Sequence, residues 1–100
     1  MERLCASADV PEGEVRQVDL GDGRVLAVYR VEGEVYATDD LCSHGDASLA
    51  DGEIKDGKIV CPYHMGSFCI RTGEPTGAPC SIPIRTYRLV ERDGEIMLVA

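Results

Sequence analysis

The sequence predicts an all-β protein from three observations. Short apolar stretches rich in β-branched residues recur along the chain, and Asp-Gly pairs punctuate them. No window keeps apolar residues at helical spacing over the roughly ten positions a packed helix needs. Val15 to Leu20, Arg24 to Val31, Val35 to Thr38, Lys58 to Cys61, Tyr87 to Glu91 and Ile96 to Val99 alternate or run apolar and read as strands. Between them lie Asp22-Gly23, Asp56-Gly57 and Asp93-Gly94, with Gly33 between two glutamates. Glycine accepts the positive φ of a tight hairpin turn, so the spacing predicts a meander. At most a short turn follows Leu49. From Asp39 to Pro83 the composition shifts to Cys, His, Gly, Ser and Pro, which reads as loops projecting from a β scaffold rather than more of it.

One hundred residues suit a single domain without a linker. With no Trp, one Phe and four Tyr, a small core must lean on aliphatic packing or on a staple such as a cofactor. Ten Lys and Arg against 18 Asp and Glu give a net charge of −8, which disfavours a grip on nucleic acid. The acidity leaves two readings open, a solvated surface or a basic protein partner. The amino terminus, MERLCASADVPEGEV, has no basic cluster followed by an apolar run, and no stretch approaches a membrane span. A soluble, cytoplasmic chain is expected, with no membrane partner. In that reducing compartment five cysteines read as metal ligands or free thiols.

The segment CPYHMGSFC, residues 61 to 69, focuses the question of function. Both histidines of the chain closely follow a cysteine, in Cys42-Ser43-His44 and Cys61-Pro62-Tyr63-His64, with sixteen residues between the two arms. Such doubling points to a metal rather than to hydrogen-bonded core histidines. Structural zinc fingers commonly segregate a Cys pair from a His pair, whereas each arm here is mixed. Mononuclear copper would want one thiolate and a weak axial group, and Met65 is awkwardly adjacent to a ligand. A two-iron cluster is served well, because each arm then gives one thiolate to one iron and one imidazole to the other. Two ferric ions, two sulfides, two thiolates and two neutral imidazoles sum to zero charge. An electron is therefore added more easily than to an all-cysteine cluster. Cys61 and His64 as nucleophile and base would lack an orienting third residue and leave the other arm unexplained.

Through CSHGDASLADG at 42 to 52 and CPYHMGSFCIRTGEPTGAPC at 61 to 80, the chain resembles the Rieske ferredoxins of bacterial aromatic-ring dioxygenases. HMGSFCIRTG looks most like the biphenyl, toluene, cumate or phenylpropionate type. The resemblance implies a Rieske fold, an antiparallel β-sandwich scaffold with a cluster-binding subdomain over about residues 40 to 82. It implies one [2Fe-2S] cluster, with Cys42 and Cys61 on the buried iron and His44 and His64 on the outer one. Gly77-Ala78-Pro79 would be the third loop covering the cluster. The implied role is an electron carrier and not an enzyme. It would pass single electrons from an NADH-dependent flavin reductase to the Rieske subunit of a terminal oxygenase, most simply as a monomer. A Rieske small subunit of another redox enzyme, such as a nitrite reductase, and a structural zinc domain are the alternatives.

High-potential Rieske proteins join their arms by a disulfide and donate two hydroxyl hydrogen bonds to cluster sulfur. The corresponding positions here hold Ala47 and Tyr63, then Gly66 and Phe68, so neither device can form. Hydrogen bonds to sulfur favour the reduced state, and their loss predicts a potential at the low end of the Rieske range, about −150 mV. Cys5, Cys69 and Cys80 read as small buried hydrophobes. Asp46, two residues past His44, is the candidate for a charged docking rim.

Overall fold

Within ValLeuAlaValTyrArgVal at 25–31 the apolar run 25–29 is continuous because both faces of the strand are covered. Ala27, Tyr29 and Val31 pack into one buried cluster, and Leu26 and Val28 into another. This strand is β3 of a computed structural model that describes residues 1–42, 47–63, 66–78 and 82–99. In chain order the strands are β1 Glu2–Ala6, β2 Val15–Asp19, β3 Val25–Val31, β4 Glu34–Asp39, β5 Glu53–Lys55, β6 Lys58–Val60, β7 Ser67–Cys69, β8 Pro75–Gly77, β9 Thr86–Tyr87, β10 Leu89–Arg92 and β11 Glu95–Leu98. They form three antiparallel sheets: a terminal sheet β1-β11-β10, a central sheet β2-β3-β4-β9 and a distal sheet β5-β6-β7-β8.

One face of the central sheet packs Val18, Leu26, Val28 and Ala37 against Leu4, Cys5, Ile96 and Leu98 of the terminal sheet. The other face packs Ala27, Tyr29 and Val31 against Ile59, Phe68 and Ile70 from the distal sheet or beside it. The result is an all-β stack of sheets, with Cys42 and Cys61 in the buried cluster shared by the central and distal sheets. Arg30 interrupts the apolar run of β3 and fastens the layers. Its guanidinium forks onto the Glu91 carboxylate of β10 and donates to the carbonyls of Ser7, Val10 and Gly33.

All six strands expected from the sequence form, with one divided. Tyr87 to Glu91 splits at Arg88, because β9 pairs with β4 of the central sheet while β10 pairs with β11 of the terminal one. Three turns carry positive φ at both central residues, 52° and 81° at Glu32-Gly33, 52° and 75° at Asp56-Gly57, and 53° and 76° at Asp93-Gly94. These values suit type I′ hairpins. The Asp22-Gly23 connection is longer, with positive φ at Gly21 and Gly23 and with the Asp19 and Asp22 carboxylates accepting from the Gly21 and Arg24 N–H groups. The expected short turn is a single 3-10 turn at Leu49–Asp51.

Two expectations are corrected. The middle third holds more strand than the expected Lys58 to Cys61, since the whole distal sheet lies within it; the other three strands, three residues each, are too short for alternation to register. The meander is also incomplete. β1 pairs with β11 from the opposite end of the chain, through a register shift between Arg3 and Cys5. No helix among the described residues is long and apolar enough to cross a membrane.

Candidate metal centre

Cys42 and Cys61 each stand at the base of a short loop closed in the same way. The Cys42 N–H donates to the Ala47 carbonyl at 3.0 Å, and the Cys61 N–H to the Gly66 carbonyl at 2.7 Å. In both cases the acceptor lies five residues on, so each cysteine opens a four-residue excursion, 43–46 and 62–65. Around the first, Leu41 and Ser48 form a bridge and the Leu49 N–H donates to the Asp40 carbonyl at 2.7 Å. Around the second, β6 and β7 supply the stems, pairing Val60 with Ser67.

The two cysteines are 1% and 0% exposed and belong to one buried cluster with Tyr29, Leu49, Phe68 and Ile84. His44 and His64, the imidazole ligands implied by the resemblance, lie outside the described residues, as do Asp46, Pro79 and Cys80. Among the described residues no three metal-ligating side chains converge. The donor chemistry still fits a mixed-ligand iron-sulfur centre. Two soft thiol donors sit at the inner, apolar ends of matched loops, and the sequence supplies one imidazole two residues past Cys42 and one three residues past Cys61.

Supporting contacts hold the second arm and the segment beyond it. The β7–β8 ladder sets Gly77 opposite Ser67, and the Ser67 and Thr76 hydroxyls are hydrogen-bonded at 2.7 Å. Gly73, at φ 78°, accepts from the Ile84 N–H so closely that a Cβ there would lie 2.2 Å from the Ile84 carbonyl oxygen. Gly52 is pressed in the same way against the Val60 carbonyl, at 2.0 Å. Tyr87 donates to the Asp39 carboxylate, and the Asp39 N–H donates to Arg85, which ties residues 84–87 to the end of β4.

The positions that separate this chain from high-potential relatives can be placed directly. Ala47 is buried and Tyr63 is exposed, while Phe68 is fully buried in the same cluster as the cysteines. Of the remaining thiols, Cys5 is buried as expected, and burial, assisted by Asp9, raises its pKa. Cys69 departs from the expectation. It is only half-buried, and a hydrogen bond from the Thr72 side chain lowers its pKa. Two further features escape sequence reasoning. Leu41, immediately before Cys42, is 59% exposed, Tyr63, two residues past Cys61, is 71% exposed, and Ile82 is 61% exposed. Asp40, two residues before Cys42, is buried and accepts from Gln17, Ser48 and Ala50. A lone carboxylate or leucine carries no spacing signal that would have marked either.

Comparison with known proteins accords with this arrangement. Residues 1–88 match the Rieske [2Fe-2S] domain. The chain is 46% identical over 96 residues to the ferredoxin component of the p-cumate 2,3-dioxygenase system of Pseudomonas putida, covering 95% of this chain and 81% of that one. It superposes on the Sphingomonas yanoikuyae B1 ferredoxin with a TM-score of 0.93 and 46% identity, covering 98% and 96% of the two chains. A chain from the complex of reduced oxygenase and oxidized ferredoxin in carbazole 1,9a-dioxygenase gives 0.91 and 38%, covering 97% and 90%. With two buried cysteines closing matched loops on an all-β stack, and with relatives of this similarity over nearly its whole length, the chain belongs to the Rieske [2Fe-2S] domain family.

Proposed function

We propose that this protein carries single electrons within an aromatic-ring dioxygenase system, from a flavin reductase supplied by NADH to the Rieske centre of a terminal oxygenase. The observation that carries the reading is the matched pair of loops, each opened by a buried cysteine whose N–H is bound five residues on. Cys42 and Cys61 would hold a [2Fe-2S] cluster from within, and His44 and His64 from the solvent side. Such a cluster, when bound, accepts and releases one electron without bond making at carbon. The chain's own part is positional. Its apolar cluster keeps water from the cysteine end.

Leu41, next to Cys42, and Tyr63, two residues past Cys61, supply exposed apolar surface at the two arms. A docking face built on them would be small, which suits a carrier that must meet two partners in turn. The acidic chain favours basic rims on those partners, and the cytoplasm is the compartment that keeps its thiols reduced. The ferredoxin–oxygenase complex of carbazole dioxygenase supports this reading of the oxygenase partner.

The test is reconstitution. Iron-loaded protein is mixed with NADH, a flavin-dependent ferredoxin reductase and a terminal oxygenase of this class, and ring-dihydroxylated product is measured. Product should appear only when all components are present. Reduction by the flavoprotein without any transfer to oxygenase would contradict the assignment. So would copurification of the native chain in a fixed complex with a large catalytic subunit.

A further inference from the structure

The first ligand arm rests on one buried carboxylate. Asp40 is 4% exposed and stands two residues before Cys42, which places their Cα atoms within about 7 Å of each other. Its Oδ2 accepts from Gln17 Nε2 at 2.8 Å and from the Ser48 hydroxyl at 2.7 Å, and its Oδ1 accepts from the Ala50 N–H at 3.0 Å. Gln17 Nε2 also donates to Ser48 Oγ, at 3.3 Å, so the Ser48 proton is directed onto Asp40. The backbone of Asp40 is engaged too, its N–H on the Val25 carbonyl and its carbonyl on the Leu49 N–H. Every donor points toward this side chain and none of its contacts asks it to donate. It joins β2, the end of β4 and the Leu49–Asp51 turn at the two stems of the excursion 43–46.

We infer that Asp40 is a positioning residue for the cluster, clamping the stems of the first arm, and that its buried charge holds the reduction potential down. This rests on the proposed ligation by Cys42 and its partners. Ser48 follows the excursion as Asp40 precedes it, so a hydrogen bond between them fixes the width of the loop mouth. Charge acts separately from shape. A carboxylate in a poorly screened interior opposes the arrival of an electron nearby, whatever the loop geometry.

The test compares iron-loaded wild type with Asp40→Asn, Ser48→Ala and Asp93→Asn, measuring midpoint potential, the EPR signal of the reduced state and the rate of iron loss to a chelator. Asp93, in the exposed β10–β11 turn, controls for the loss of one surface charge. Asp40→Asn should shift the midpoint upward and speed iron loss severalfold. Ser48→Ala keeps the charge and should speed iron loss without raising the midpoint, and Asp93→Asn should change neither. An unchanged midpoint and rate in Asp40→Asn would overturn the inference, as would equal upward shifts in Asp40→Asn and Ser48→Ala. If Asp40→Asn does not fold by circular dichroism, Ser48→Ala and Gln17→Ala decide, and iron loss at the wild-type rate in both overturns it. A wild type without iron or EPR signal would instead remove the cluster assignment itself.

Discussion

Cys5 and Cys69 stand in opposite surroundings, and their chemistry should differ accordingly. Burial raises the pKa of Cys5, while a hydrogen bond from Thr72 lowers that of half-buried Cys69. The thiolate is the nucleophile, so at neutral to mildly alkaline pH Cys69 should be alkylated by iodoacetamide well before Cys5. Peptide mass spectrometry over time checks this; equal rates would show that the two environments are alike in solution. Gly73→Ala is the second residue-scale case. The added methyl meets the Ile84 carbonyl at 2.2 Å in a backbone at φ 78°, which should cost roughly 2 kcal/mol or more in a urea titration. A wild-type midpoint would show that residues 84–87 can move aside. At this scale the sequence revealed the cysteines through their paired spacing with histidine. It could not reveal Asp40 or Gly73, whose importance comes from atoms far along the chain.

Among the elements, β3 and β10 are joined across two sheets by Arg30 and Glu91. The Arg30 hydrogen bond lowers the Glu91 pKa below its ordinary value near 4.5, so the pair's contribution is complete above that pH and is lost as pH falls through the depressed value. Glu91→Gln should therefore lower unfolding free energy by about 1 kcal/mol at neutral pH, with the difference shrinking in acid. Urea titrations at neutral and acid pH test it, and a deficit that grows in acid would contradict the assignment. Arg30 also illustrates what was readable of the elements. The strands of the central sheet were legible because alternation or a continuous apolar run reports burial directly. Of the distal sheet only Lys58–Val60 was legible, because Ser67–Cys69 and Pro75–Gly77 are too short to show a period and gain stability by pairing with their neighbours.

In the whole molecule the central sheet divides two buried clusters, one backed by the terminal sheet and one containing Cys42 and Cys61. Chemistry and scaffolding are thus on opposite faces of one strand, and the loops can serve function without exposing the other core. Leu41 and Tyr63, exposed beside those loops, are the expected apolar contacts with a partner. Replacing either with Glu should slow electron transfer to the oxygenase roughly tenfold, about 1.4 kcal/mol, while leaving iron content unchanged. Stopped-flow transfer rates at wild-type level in both variants would place docking elsewhere. The central claim is tested most directly by an EPR-monitored potentiometric titration of anaerobically prepared, iron-loaded protein. The account predicts a one-electron transition with a Rieske-type signal and a midpoint near the low end of the family range, about −150 mV. A midpoint above zero would contradict the low-potential carrier, and one zinc with no signal would contradict the cluster.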